Sequence, residues 1–475
     1  MAPIGYFVRL VVLLCFCIVA DCVAVARAQA IDFFRRGHGL ADDDQQTLPA
    51  ELDQAHLAWQ QSLPAGHSTP SIVGERIFLT AQEGNELATI CLDRATGKLA
   101  WKQSIHVDEL EKVHSEGSAA AASPACDGER VVTFFGSFGL LCYGVDGTPL
   151  WSKRLGPFRD EFGSASSPII VGDKVLLNED HDLASFLIAV HAASGDTAWQ
   201  APREGFTRSY ATPVVWEHDG QKQIVVAGAL ELIAYDHHDG HVLWTLDGFA
   251  RIVNTTPVPA GGLLYVCSWS PGGDSEARIG MEPWPTALDQ WDKNKNGKLE
   301  NSELPPGEVR SRFFRIDLNS DQTLDEIEWG KYARLFELAQ NTCVALRPGD
   351  DGGPPRVVWQ YKRGLPYVAS PLVYRGHVFL IKDGGIVTLL DAQTGKLVKQ
   401  ARAGGEGNYY ASPVGGDGKI YAASTAGAVT VFEAGSNAKV LFSRDFQERI
   451  AATPVLADGR VYLRTGKALY CFENR

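Results

Sequence analysis

Two twelve-residue stretches carry oxygen-bearing side chains at the spacing a hard cation needs. The first is Asp292-Lys293-Asn294-Lys295-Asn296-Gly297-Lys298-Leu299-Glu300-Asn301-Ser302-Glu303. Asp292, Asn294 and Asn296 offer side-chain oxygens at positions 1, 3 and 5, and Lys298 offers its carbonyl at 7. Glu300 gives a direct or water-bridged oxygen at 9, Glu303 a bidentate carboxylate at 12, and Gly297 the sharp turn. The second stretch starts 25 residues later, with Asp317, Asn319, Asp321, the Thr323 carbonyl, Asp325 and Glu328 in the same places. It departs from the pattern at Gln322, where glycine is expected; holding a side chain at positive φ costs ~1–2 kcal/mol, which weakens a site without abolishing it. The expected ion is Ca2+, held as a structural clamp, because calcium is abundant outside cells. The short spacing predicts one helix over 308–316 serving both loops, Leu299 facing Leu324, and a last helix with Ile327, Tyr332, Leu335 and Phe336 on its apolar face.

No other chemistry is as clearly spelled. Beyond the N-terminal three, the cysteines are Cys91, Cys126, Cys142, Cys267, Cys343 and Cys471, none adjacent and none in CxxC, so zinc and c-type haem have no support. Their strand-like contexts predict buried single thiols. His181, His191, His237, His238 and His241 fall near turns and read as solvated. There is no Ser/His/Asp phrase, phosphate loop or HExxH motif.

The elements that would position such residues come from a repeat. Ser or Thr followed by Pro opens a β-run eight times, at Thr69, Ser123, Ser167, Thr212, Thr256, Ser370, Ser412 and Thr453. Successive prolines are 54, 44, 45, 44, 114, 42 and 41 residues apart, the period of four-stranded propeller blades except at one interval. Each copy continues through hairpins and ends in a turn such as Asp93-Arg94-Ala95-Thr96-Gly97-Lys98-Leu99-Ala100-Trp101, with a recurring Trp at 101, 151, 199, 244 and 359 that fills the wedge between blades. The eighth copy lacks a last strand, and Trp59 lies before the first, so the N-terminal strand is expected to complete the ring and remove its open edge.

The Asp-x-x-Thr-Gly-Lys-x-x-Trp phrase resembles the repeat of pyrroloquinoline-quinone-like (PQQ-like) eight-bladed propellers, which occurs in quinoprotein dehydrogenases and in the BamB type of barrel-assembly lipoprotein. The resemblance covers roughly 55–270 and 340–475. The expected fold is an all-β eight-bladed propeller closed by an N-terminal strand. The 114-residue interval exceeds a blade by about 69 residues and reads as an α-helical EF-hand pair inserted in blade five, similar to the compact pairs of exported bacterial proteins. The expected organisation is a signal peptide over 1–28, an extension over 29–54, the first blades over 55–273, the insert over 274–341 and the remaining blades over 342–475.

A propeller binds at its channel mouth. The approaches to the innermost strands there carry His67, Arg208, Tyr210, Arg251, Asn254, Tyr367, Asn408, Tyr409, Tyr410 and Arg449, with Glu179, Asp180 and Lys382 in nearby turns. This ring suits a protein or small-molecule ligand. The 57 acidic against 44 basic residues, a net charge of −13, exclude a phosphate-backbone reader, so no nucleic acid is expected. Leu10–Ala20 is too short to span a bilayer and Ala26-Arg27-Ala28 suits signal peptidase, predicting a monomer exported to the periplasm or secreted, without a transmembrane segment. Two function classes compete: a non-enzymatic calcium-binding scaffold, and a PQQ-dependent alcohol or sugar dehydrogenase. For the second, the resemblance implies calcium in the channel polarising the quinone and an Asp acting as base. The chain lacks an adjacent Cys-Cys pair and a CxxCH haem site, so PQQ is disfavoured as a cofactor and Ca2+ favoured.

Overall fold

The computed structural model describes residues 32–42, 44–274 and 278–474; the signal peptide expected over 1–28 lies outside them. Eight four-stranded antiparallel sheets follow the repeat. Six are built from consecutive strands, and blade five is interrupted after its second strand. The eighth pairs Val455–Ala457, Arg460–Arg464 and Ala468–Glu473 with Leu57–Ser62 as its outer strand, with Trp59 opposite Cys471. The ends of the chain thus close the propeller as expected. Among the described residues, no helix is long and apolar enough to cross a membrane.

The recurring Ser or Thr does more than open a strand. Each blade's Ser/Thr backbone N–H donates to the hydroxyl of the next blade's Ser/Thr. Thr69 donates to Ser123, Ser123 to Ser167, Ser167 to Thr212, Thr212 to Thr256, Thr256 to Ser370, Ser370 to Ser412 and Ser412 to Thr453. Thr453 donates back to Thr69, all at 2.9–3.2 Å. The result is a closed belt of eight bonds around the channel. Pro cannot donate, so placing it after the hydroxyl residue leaves no competing amide at the next position. Ser123→Ala removes one acceptor and leaves the buried Thr69 N–H unpaired. A loss of about 1–3 kcal/mol is expected, read as a lowered denaturation midpoint.

At the outer radius a second joint repeats. The indole N–H of Trp59, Trp101, Trp151, Trp199 and Trp359 donates to a turn carbonyl of the following blade, at Arg94, Val145, Ala192, His237 and Ala392. The glycine of that same turn lies flat on the ring: a Cβ on Gly97 would stand 2.4 Å from Trp59, and one on Gly240 2.3 Å from Trp199. These turns take positive φ, +71° at Gly97 and +77° at Gly240, so one residue type satisfies both backbone and contact. Trp244 is the exception. It bonds Gln223 within its own blade, since blade five has a longer turn there.

The insert leaves blade five between its second strand, Leu263–Ser268, and its third, Thr342–Arg347. It holds helices Trp284–Trp291, Glu308–Ser311, Phe313–Ile316 and Glu326–Leu338 and a short ribbon in which Leu299 pairs with Leu324. Two expectations need correction. The single helix over 308–316 is broken at Arg312, which has φ −106° and ψ 11° and ends one short helix as it opens the next. Ile327 is 69% exposed, and Trp329 takes its place on the buried face. Glu328 must turn into the loop it closes, which rotates its neighbour Ile327 outward. Trp329 packs between Trp284 and Trp291, with ring centroids at 5.8 and 6.1 Å, and donates to the Glu282 carbonyl. This apolar centre is continuous with the core between blades three and four.

Candidate functional site

The channel holds a cavity of about 390 Å3. Its belt is the Ser/Thr ring, and its floor is Phe34. The N-terminal extension reaches that floor by crossing the ring: Asp32 bridges to Cys126 and accepts from Ile72 N–H, while Leu40 bridges to Gly415. Arg35, beside Phe34, is buried and donates to the Pro371 and Pro413 carbonyls. Burial without a nearby carboxylate lowers its pKa to about 9.

The opposite end is the mouth. Of the residues expected there, His67, Tyr210, Asn254, Tyr367 and Tyr410 line the cavity. Asn254 donates to the Tyr367 carbonyl and Asn408 to the Tyr410 hydroxyl, which fixes two of the tyrosines. His67 is pushed down to about 4, first by burial and then by Arg449 and Arg464, so its imidazole is neutral at pH 7. Arg449 stands behind the wall, bonded to Glu116 at 2.7 Å. Lys382 lies at the end of a blade-six strand, outside the lining.

Three expected mouth residues sit elsewhere. Asp180 is fully buried against Arg203, at 2.6 and 2.8 Å, between blades three and four. Arg208 is buried against Asp182 at 2.6 Å and Glu161 at 2.7 Å. Glu179 is 3% exposed and faces blade two. Their turns are polar in sequence, but the connections fold over the blade tops and leave water outside.

Other lining residues carried no sequence signal: Phe34, His114, Glu116, Phe162 and Arg315. Arg315 comes from the insert and bonds Glu161 at 3.1 Å. Arg159 meanwhile donates to the Asn319 carbonyl in the second loop, and Arg334 pairs with Glu231. The insert is therefore attached to the rim of the channel.

The two loops share their internal geometry position for position. In the first, Asp292 accepts from the amides of Asn296 and Gly297, Asn294 from Asn296, Asn296 from Lys298, and Glu303 from Asn294 and Glu300. In the second, Asp317 accepts from Asp321 and Gln322, Asn319 from Asp321, Asp321 from Thr323, and Glu328 from Asn319 and Asp325. Positions 4 and 6 are left-handed in both: Lys295 at φ +59° and Gly297 at +81°, Ser320 at +51° and Gln322 at +70°. Gln322 thus adopts the glycine conformation. Lys298 bridges the loops, its ammonium 2.9 Å from Asp321. The Thr323 hydroxyl and that ammonium hold Asp321 well below the usual carboxylate range.

Three donors also converge at Glu51, Asp53 and His56 and at Asp236, Asp239 and His241. In each the histidine is already bonded to an aspartate, His56 to Asp53 at 2.8 Å and His241 to Asp239 at 2.6 Å. All six described cysteines are buried and unlinked.

The sequence profile of the outer membrane protein assembly factor BamB matches residues 46–268 and 399–474. No curated protein sequence matches significantly. Among solved structures, BamB from Moraxella catarrhalis aligns with a TM-score of 0.54 at 14% identity, covering 88% of this chain and 98% of that one. The computationally designed Ika8 protein gives 0.53 at 10% identity over 88% and 99%. A europium-containing methanol dehydrogenase gives 0.50 at 10% identity over 96% and 100%. At such identities the structures share a fold, and the same blades serve unrelated activities. The profile covers more than half of the sequence, and with its eight PQQ-like blades the chain belongs to the family of the outer membrane protein assembly factor BamB.

Proposed function

We propose that the chain is an exported, calcium-binding, non-enzymatic scaffold of the periplasm or the extracellular space that engages a partner at its channel mouth. The observation that carries this reading is the lining of the channel. Among the described residues its one carboxylate, Glu116, is bonded by Arg449, no aspartate lines it, and Phe34 lines its far end. A quinone enzyme of the resembling type calls for a channel calcium and an aspartate base; these lining residues do not fit that set. What the mouth offers instead is aromatic contact area with polar tips, from Phe162, Tyr210, Tyr367 and Tyr410, the composition that dominates protein interfaces.

The two loops supply the calcium part of the reading. Each presents oxygens at positions 1, 3, 5, 7, 9 and 12, and the chemistry a bound ion would supply is cross-linking of each loop to its exit helix. Asp325 already caps the helix Glu326–Leu338 while Glu328 returns to the Asp325 amide, so position 12 is placed before any ion arrives.

Reconstitution of the mature protein with PQQ and calcium is expected to give no alcohol- or sugar-dependent dye reduction. Turnover in that assay overturns the scaffold reading. A photoreactive residue at Tyr367 is expected to cross-link a partner in the native envelope, whereas one at Leu150, on an outer strand, is not.

A further inference from the structure

All eight Ser/Thr residues of the belt line the channel cavity. Each hydroxyl oxygen accepts the amide of the preceding blade, and among the described residues none of the eight donates its own proton to a protein acceptor. The channel is therefore ringed by protons to give, and its occupant needs oxygens to take them.

Two guanidinium groups stand directly behind this belt. Arg35 donates to the carbonyls of Pro371 and Pro413, the residues that follow Ser370 and Ser412. Arg464 donates to the carbonyls of Ser68, which precedes Thr69, and of Thr80. Nε of both and Nη1 of Arg35 are buried without a partner. Among the described residues neither is paired with a carboxylate: Asp32, three residues from Arg35, is bonded by Arg36 instead. Burial alone lowers both to about 9, so both are charged at neutral pH.

The other charges at the wall are matched, Arg449 by Glu116 and Arg315 by Glu161. Glu111, Asp160 and Glu179 lie buried between blades two and three, across the ring from Arg35 and outside the lining, and burial raises all three above the ordinary carboxylate range. Two unpaired cations in a medium of low dielectric leave the channel short of negative charge. Shape narrows what can supply it. Phe162, Tyr210, Tyr367 and Tyr410 wall the cavity and suit apolar side chains. At the far end the extension crosses from Cys126 of blade two to Gly415 of blade seven, so a chain that enters from the mouth stops there. The occupant is then a chain end and not a passing loop. An amino terminus would bring a third cation; a carboxyl terminus brings both the acceptor oxygens and the negative charge.

We propose that the channel takes the carboxyl-terminal end of an extended partner chain, its terminal carboxylate on the Ser/Thr belt within the field of Arg35 and Arg464, and its last side chains, apolar or aromatic, against the tyrosines of the wall. This rests on the reading of the mouth as a partner site and adds which part of the partner enters.

The test offers the mature protein a pool of acetylated hexapeptides, Gly-Ser-Gly followed by three positions randomised among Val, Leu and Tyr, prepared once as free acids and once as amides. Binding is measured by equilibrium dialysis. The acids are expected to bind at least about tenfold more tightly than the amides, and Arg35→Met with Arg464→Met to remove that advantage. Should the double variant not fold, the comparison on the native chain decides alone: equal binding of the two pools, or none of either, overturns the proposal. Displacement of the acid pool by equimolar isobutyrate assigns the site to small acids and overturns it likewise. A partner cross-linked through Tyr367 with neither pool bound overturns the chain end and leaves the mouth reading standing; the acid pool bound with no partner cross-linked does the reverse.

Discussion

Asp180→Ala is expected to destabilise the propeller by about 3–5 kcal/mol, the cost of leaving a buried charge without its partner. Both side chains of the Asp180–Arg203 pair are shielded completely from solvent. The pair is bidentate, and Arg203 also donates to the Tyr235 hydroxyl at 2.6 Å while stacking 3.9 Å above Phe206. Burial alone lowers the pKa of Arg203, yet the Asp180 carboxylate more than offsets it and the guanidinium stays charged. Without Asp180 that charge has only Tyr235 and aromatic faces. The urea midpoint followed by tryptophan fluorescence checks the result. Asp458→Ala is the control: its bond to Arg94 is as short, at 2.6 Å, but Asp458 is 61% exposed, so a loss under about 1 kcal/mol is expected. Equal losses for the two variants defeat the burial argument. Replacing Asp180, Arg203 and Tyr235 together by Leu, Met and Phe is expected to recover most of the stability, because no polar group is then stranded.

The blade count was legible because one phrase recurs at a fixed period, and so was closure, because Trp59 stands where the eighth blade lacks a strand. The function of the phrase was not. Each Ser or Thr hydroxyl serves an amide one blade away, a relation invisible within a single copy. Gly97 read as a turn residue, and its second duty, lying against Trp59, belongs to the neighbouring blade. The channel was half legible. Tyr210, Asn254, Tyr367 and Tyr410 precede innermost strands and face the cavity as the period implies. Phe34 and Arg315 reach it from segments without a period, whose direction of packing no repeat encodes. Asp180 and Arg208 were misplaced for a related reason: charge in a turn reads as solvated, and here the turns are covered by connections that carry opposite charges. The loops were the reverse case, since the spacing that singled them out is matched by the same internal hydrogen bonds at the same positions in both. Two helix readings failed there: Arg312 breaks the single helix expected over 308–316, and Glu328 overrides the apolar pattern and turns Ile327 out.

The second large effect is expected on removing calcium. The mature protein is expected to lose one bound calcium ion on Asp292→Ala with Glu303→Ala, and a second on Asp317→Ala with Glu328→Ala, read by calorimetry. Unchanged stoichiometry in either variant defeats the assignment of that loop. An ion that binds only the folded chain stabilises it by about 2.7 kcal/mol at a hundredfold excess over Kd, so chelation is expected to lower Tm by several degrees. Gln322 makes the loops unequal. It holds φ +70° where the first loop has Gly297 at +81°, and that conformation costs ~1–2 kcal/mol for a residue with a Cβ. Where the strain is larger in the bound loop than in the free one, Gln322→Gly tightens the second site, by up to about tenfold for each 1.4 kcal/mol relieved. The Lys298 ammonium is bonded to Asp321, the carboxylate that the proposed ion would use. Lys298→Gln keeps the position-7 carbonyl, which is the ligand atom, and removes the competing charge. It is therefore expected to tighten the second site and leave the first nearly unchanged; a variant that weakens both sites shows that the bridge between the loops matters more than the competition.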